Sequence, residues 1–136
     1  MKTQFDREEL YVRKLTLLKK SEENRKSAEL LAKSFYYNAA TNRWYYSLFQ
    51  KAKHILNVKE CNQIFQDNSH EGTINLLRNE VLKTPVERLE LQEFHEIRKY
   101  RNKCDYNNTF DINSECYEKN IVTKATDIEN ILKKYC

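Results

Sequence analysis

The sequence is poor in chain breakers, with 1 glycine and 1 proline among 136 residues. A turn-rich β architecture needs both for its hairpins and bulges, so a sandwich or barrel is disfavoured and helices are expected. No stretch approaches the ~20 consecutive apolar residues of a membrane span. The first ten residues, MKTQFDREEL, are polar, so no secretory leader is expected and a cytoplasmic protein is. The four cysteines, Cys61, Cys104, Cys116 and Cys136, form no CxxC pair and have no histidine at ligand spacing. A zinc site is therefore not expected, no other metal or cofactor is indicated, and the thiols are expected to be reduced.

What the chain does have is charge and apolar periodicity. Charged residues make up 32% and hydrophobic residues 40%, the balance of a soluble helical protein. The length fits one domain over 1–136, large enough to bury roughly 65–70% of its unfolded surface. Net charge is +4, from 24 Lys+Arg against 20 Asp+Glu. That mild, interleaved excess permits a nucleic-acid partner without demanding one.

The apolar pattern predicts helices throughout. Residues 6–19 carry acids first and bases last, which suits a helix dipole. Ser21 with Glu22 and Glu23 could cap a second helix to about Phe35, with Ala28, Leu31, Ala32 and Phe35 on one face; 6–35 is equally readable as one helix. Over 38–57 the stripe is Tyr45, Leu48, Phe49, Ala52, Ile55 and Leu56. Residues 58–69 read as a loop, with Asn68 or Ser69 capping a short helix over 70–83. Pro85 suits a helix start, and one helix is expected from about 86 to 104. After the turn formers YNNTFDINS, a last helix over 115–134 repeats Tyr117, Ile121, Ala125, Ile128, Leu132 and Tyr135 at a seam spacing. Long amphipathic helices with short links predict an all-α antiparallel bundle of four to five helices.

One residue disturbs this pattern. On the 86–104 helix the apolar stripe runs through Leu89 (with Val86), Phe94, Ile97 and Cys104, and Arg101 falls on it. A guanidinium stays charged, so an unpaired one in a core is costly. Arg101 must meet a carboxylate, reach solvent along its stem, or line a cleft. Arg98 lies one turn before it, Asn102 and Lys103 follow, and Tyr106 comes five residues on. If the helix stops near Cys104 or Asp105, the Tyr106 phenol can fold back beside the guanidinium. Such a group could hold a phosphate, with arginine as a fork, asparagine as a neutral donor and tyrosine as donor or stacking ring.

RNKCDY at 101–106 resembles the R-N-x-x-x-H motif of HEPN domains, in the R-N-K-A-D-Y variant of short stand-alone members. NAATNRWYYSLFQKAKHIL at 38–56 is similar to that group's second helix, and NSHEGTINLL at 68–77 to its H-S-G-x-I-x-L-F turn and helix. The order and spacing of the three blocks agree over roughly 22–135, which leaves 1–20 as a possible helical extension. The resemblance implies a helical bundle that pairs as a homodimer, with the arginine motifs of two subunits meeting in a cleft. It implies metal-independent endoribonuclease activity of a toxin, abortive-infection or antiviral-defence kind. Some members instead accompany a minimal nucleotidyltransferase in a toxin–antitoxin pair, and others bind partners without cleaving.

Here the motif ends in Tyr106 where the catalytic form has histidine. Free tyrosine, at about 10, is a poor base at neutral pH, whereas histidine at about 6.5 is well placed. His95 shares a helix with Arg98 and Arg101 at spacings of three, so it could supply the imidazole. His54 and His70 read as structural, His70 as part of a helix start. Arg43 and Tyr46 in NRWYY could border the same cleft or simply pack. The expected site is therefore Arg101, Asn102, Tyr106 and His95 for catalysis, with Arg98, Lys103, Arg43 and Tyr46 binding RNA. Against the ribonuclease stand two alternatives: a catalytically weak module partnering a nucleotidyltransferase, with Tyr106 as an acceptor for nucleotide modification, and a helical dimer without a site.

Overall fold

The computed structural model describes residues 4–59 and 69–136. Among these residues all regular structure is helical. The helices are α1 (Gln4–Lys33), α2 (Tyr37–Val58), α3 (His70–Leu76, continued by a π-helical turn Leu77–Val81), α4 (Pro85–Glu90) and α5 (Glu93–Tyr106). A last rod, α6, starts as Ser114–Cys116, widens into a π-helical stretch Tyr117–Val122 and finishes as Thr123–Lys133. Most of the expected loop at 58–69, with Asn68 and Cys61, lies outside the described residues; Val58 still belongs to α2.

α1 is one helix, not two. Ser21 is no cap; it is buried in mid-helix against α2. Its hydroxyl donates to the Ser47 carbonyl at 2.6 Å, and the Ser47 hydroxyl donates back to the Ser21 carbonyl at 2.9 Å. Small residues here, with Ala28 and Ala40 fully buried nearby, let the helices pack closely, and each hydroxyl is satisfied by the other residue's carbonyl in a dry contact. One turn along α1, the Arg25 guanidinium lies 4.8 Å from the Trp44 ring. Residue numbers rise on α1 as they fall on α2, so the pair is an antiparallel hairpin.

The hairpin link is a Schellman turn, with Tyr36 N–H donating to Leu31 O at 2.9 Å and Phe35 N–H to Ala32 O at 3.0 Å. Its left-handed position usually holds glycine. This chain puts Phe35 there, at φ 67°. Phe35 therefore does not join the face of Ala28, Leu31 and Ala32: it lies past the helix end and is 77% exposed.

α2 is the central helix. Tyr45, Leu48, Ala52, Ile55 and Leu56 are buried, as their stripe predicts, with Phe49 packed at the edge and Trp44 buried beside them. On α6, Tyr117, Ile121, Ala125, Ile128 and Leu132 are all buried, and Tyr135, just past its end, is partly so. The Trp44 Nε1–H donates to Tyr117 Oη at 3.0 Å and ties the two helices. α6 also reaches α1: the buried Glu129 carboxylate takes Arg25 Nε at 2.6 Å and Lys133 Nζ at 3.4 Å. A buried acid without such cations would be strongly unfavourable.

The helix expected over 86–104 is instead two. Thr84 and Glu87 form a capping box with Pro85 in the first turn, and Glu87 Oε1 also accepts from Tyr135 Oη at 2.6 Å. Turning Glu87 inward to these partners turns Val86 and Leu89 outward, where both are exposed. The chain then resets through Leu91 and Gln92, and α5 buries Phe94 and Ile97. α5 also runs past Cys104 to Tyr106 before Asn107 N–H closes it onto Lys103 O at 3.1 Å.

A Cβ in the left-handed region costs about 1–2 kcal/mol. Phe35→Gly should thus raise unfolding stability by about 1 kcal/mol, read as a higher urea midpoint at unchanged slope. A lower midpoint would show that the exposed ring contributes contacts worth more than the backbone strain.

Candidate functional site

His95, Arg98 and Arg101 follow one another at intervals of three on α5 and so share a face. That face meets the middle of α2, which supplies Tyr45 and Tyr46, and the first turn of α3, which supplies His70 and Glu71. Ser69 caps α3 by accepting from Gly72 N–H at 3.0 Å, so His70 is free to send its ring inward.

The Arg101 side chain is 11% exposed. Its guanidinium carbon lies 4.7 Å from the Tyr45 ring centre, 5.5 Å from that of Tyr46 and 5.9 Å from that of Tyr106. Nη1 donates to Tyr46 Oη at 3.4 Å and stands 3.6 Å from Asp105 Oδ2. That carboxylate oxygen is already bonded to Asn42 Nδ2 at 2.8 Å, so Asp105 offers one long contact and not a two-pronged clasp. Arg98 likewise meets Glu71 only at 4.0 Å. The Nε atoms of Arg98 and Arg101 are the two buried side-chain polar atoms left without a hydrogen bond among the described residues. A buried donor without an acceptor costs about 1–3 kcal/mol, a cost that the oxygens of an anion would offset.

Beside the two arginines runs a hydrogen-bonded chain. Tyr45 Oη is 2.9 Å from His70 Nδ1, and His70 Nε2 is 2.9 Å from His95 Nδ1. The His70 ring is stacked near Tyr45 and met edge-on by Phe94 at 5.1 Å. Burial, reinforced by the charges of His95, Arg98 and Arg101, pushes the His70 pKa down to about 3. Burial, then Arg78 and Arg98, lowers His95 as well, with Glu71 opposing. Burial raises the Tyr45 phenol against the pull of Arg101 and Arg98. Both imidazoles are thus neutral at pH 7.

The site therefore gathers Arg101, Arg98, His95 and Tyr46, with Tyr106 at its rim. Tyr106 is the last residue of α5 and 75% exposed. It comes near Arg101 although the helix does not stop at 104, because the arginine stem extends toward the C-terminal end of α5, as its Asp105 contact shows. Asn102 is half-buried next to Arg101. Lys103 turns to another side, with Nζ 5.5 Å from the Tyr100 ring centre and 5.8 Å from that of Phe110. Arg43 faces α1, donating to Asn24 Oδ1 at 3.2 Å, and the structure does not bring it to Arg101. His70 and Tyr45 join the site although the sequence pattern marks neither; only the meeting of α2, α3 and α5 reveals them. Among the described residues no group of three or more His, Cys, Asp or Glu side chains is placed to hold a metal ion.

Comparison with known proteins finds a family model, the HEPN domain, matching residues 15–135. A protein of Methanocaldococcus jannaschii named "Putative toxin MJ0142" is 34% identical over 120 residues, covering 88% of this chain and 78% of that protein. No solved structure matches the chain.

Burying His70 as a neutral ring links stability to pH. Its folded pKa lies below the free value of 6.5, so the unfolded chain binds the proton more readily. The contribution is complete above pH 6.5 and is lost as pH falls toward 3. The thermal midpoint of the wild type should fall more steeply from pH 6.5 to 4 than that of His70→Phe. Parallel curves would show that His70 does not resist protonation.

Proposed function

The chain belongs to the HEPN domain family, and we propose that it is a toxin-type member that cleaves RNA without a metal ion, at a cleft formed where two copies meet. The observation that carries this reading is the pair of buried, unpartnered guanidinium Nε atoms of Arg98 and Arg101, set beside a neutral imidazole. A phosphodiester supplies what those donors lack: two non-bridging oxygens sharing a negative charge. The likeness to a protein named as a toxin supports the biological class.

In the reaction so read, the ribose 2′-oxygen attacks the neighbouring phosphorus and the P–O5′ bond breaks. A 2′,3′-cyclic phosphate and a free 5′-hydroxyl result. One proton leaves the 2′-oxygen and one arrives at the 5′-oxygen. Arg101 and Arg98 stabilise the charge that builds on phosphorus-bound oxygen, the role usually worth most in such a site. Asn102 adds a neutral donor. Tyr46 holds the Arg101 fork, and Tyr106, open to solvent, is placed to stack on a base or to donate. Lys103 and Arg43, which face elsewhere within the subunit, contribute field along the strand and not at the scissile bond. Homodimerisation would bring a second Arg101 opposite the first, and the compartment would be the cytoplasm.

The exposure of Tyr106 favours one second reading. A phenol so accessible at a helix end is open to a separate nucleotidyltransferase, which would modify it and silence or define a catalytically weak HEPN module.

Arg101→Ala should lower RNA cleavage by about 100-fold or more, as loss of a transition-state donor does. Its expression in bacteria should permit growth where the wild type slows it. Purified wild type should cleave RNA in EDTA, and sedimentation should give a dimer at micromolar concentration. Intact RNA and equal growth for both proteins would remove the ribonuclease reading; transfer of labelled nucleotide to wild type and not to Tyr106→Phe would establish the second.

A further inference from the structure

His70 is a buried titratable group beside the site that the reaction above leaves unused. It is 5% exposed, yet both its nitrogens are engaged, one by Tyr45 and one by His95, each at 2.9 Å. The direction of this chain of bonds follows from what surrounds its inner end. The Arg101 guanidinium carbon lies 4.7 Å from the Tyr45 ring centre, and Arg98 adds its field there. Two cations favour the phenol oxygen's lone pairs on their side, so the Tyr45 proton points away, to His70 Nδ1. A neutral His70 that accepts at Nδ1 carries its proton on Nε2 and donates it to His95 Nδ1. His95, accepting at Nδ1, keeps its own proton on Nε2, the ring atom not used in the chain.

We propose that His70 is a positioning residue of the anion site, which through the Tyr45–His70–His95 chain fixes His95 as the Nε2–H tautomer, so that His95 meets an RNA phosphate as a hydrogen-bond donor and not as a base. This rests on the RNA-cleaving reading and sharpens it: His95 serves the phosphoryl or 5′-oxygen side of the reaction, and the 2′-proton leaves by another route. A proton added to His95 Nδ1 would face the proton of His70 Nε2, so the chain also holds His95 neutral. The charged groups that face the two rings are Arg98 and Lys99 from α5, Glu71 from the first turn of α3, Arg78 from its π-helical end, and Arg101 toward His70. All but Glu71 are cations and oppose a further positive charge.

Two substitutions separate positioning from bulk structure. The Gln amide in His70→Gln can accept from Tyr45 and donate to His95, preserving the direction of the chain; the Leu side chain in His70→Leu fills space without either bond. Long-range nitrogen–proton correlation spectra should show His95 protonated on Nε2 alone in the wild type and in His70→Gln. In His70→Leu the two tautomers should mix, kcat on RNA should fall about tenfold with KM little changed, and the pH profile should gain a protonation step absent from the wild type. Inorganic phosphate should shift the His95 Nε2 proton in the wild type. A wild-type His95 protonated on Nδ1, or equal cleavage by the Gln and Leu variants, would overturn the proposal. If the wild type cleaves no RNA, the ribonuclease reading falls alone, and the spectra and phosphate shift still decide the role of His70.

Discussion

A permanently charged guanidinium is held almost out of water above the ring of Tyr45, and the arrangement of α2, α3 and α5 is built around it. Three aromatic rings within 6 Å return part of the lost hydration through their electron-rich faces, each cation–π contact being worth about 0.5–2 kcal/mol. Tyr46 takes one N–H, and Asp105 adds a long, shared contact. None of these groups neutralises the charge in the way a two-pronged carboxylate would. The contrast with Arg25 is direct. That residue gives Nε to the buried Glu129 at 2.6 Å and also bonds Glu29, so its role is spent within the fold. Arg101 and Arg98 retain donors to offer.

Cations so placed impose neutrality on what lies next to them. His70 and His95 stand in a field set mainly by arginines, and burial acts on both rings in the same direction. Uncharged imidazoles can then share a hydrogen bond that a doubly protonated pair could not. The stacking of Tyr45, Phe49 and His70, closed edge-on by Phe94, fixes the rings sterically. Rotational freedom in this corner is small, and that is what a site acting by position requires. The same packing joins α2 to α3 and α5, so the candidate site is set in the core and not on a loop.

The departure from the histidine-ended motif is easier to understand in this setting. Tyr106 ends α5 in solvent, while an imidazole approaches the same arginine face from His95, six residues before Arg101. A group with a near-neutral intrinsic pKa is thus present beside the two arginines although not at the expected sequence position. Its Nδ1 meets His70, which comes from a different helix.

The sequence alone determined the helical class, the buried stripes of α2 and α6, the helix start at Pro85 and the anomaly of Arg101. Each of these depends on periodicity or on neighbours within one turn, where 3.6 residues per turn links position to face. It also carried three blocks similar to one family. Tertiary structure alone decided that α4 separates from α5, since the rotation of α4 answers to Tyr135, 48 residues away. It decided that Ser21 binds across to Ser47 and does not cap, that Arg43 turns to α1, and that His70 and Tyr45 enter the site. In every such case the partner lies 19 or more residues distant along the chain. Which side chains meet at that range depends on how far each packed helix is rotated about its axis, and no local pattern encodes that angle.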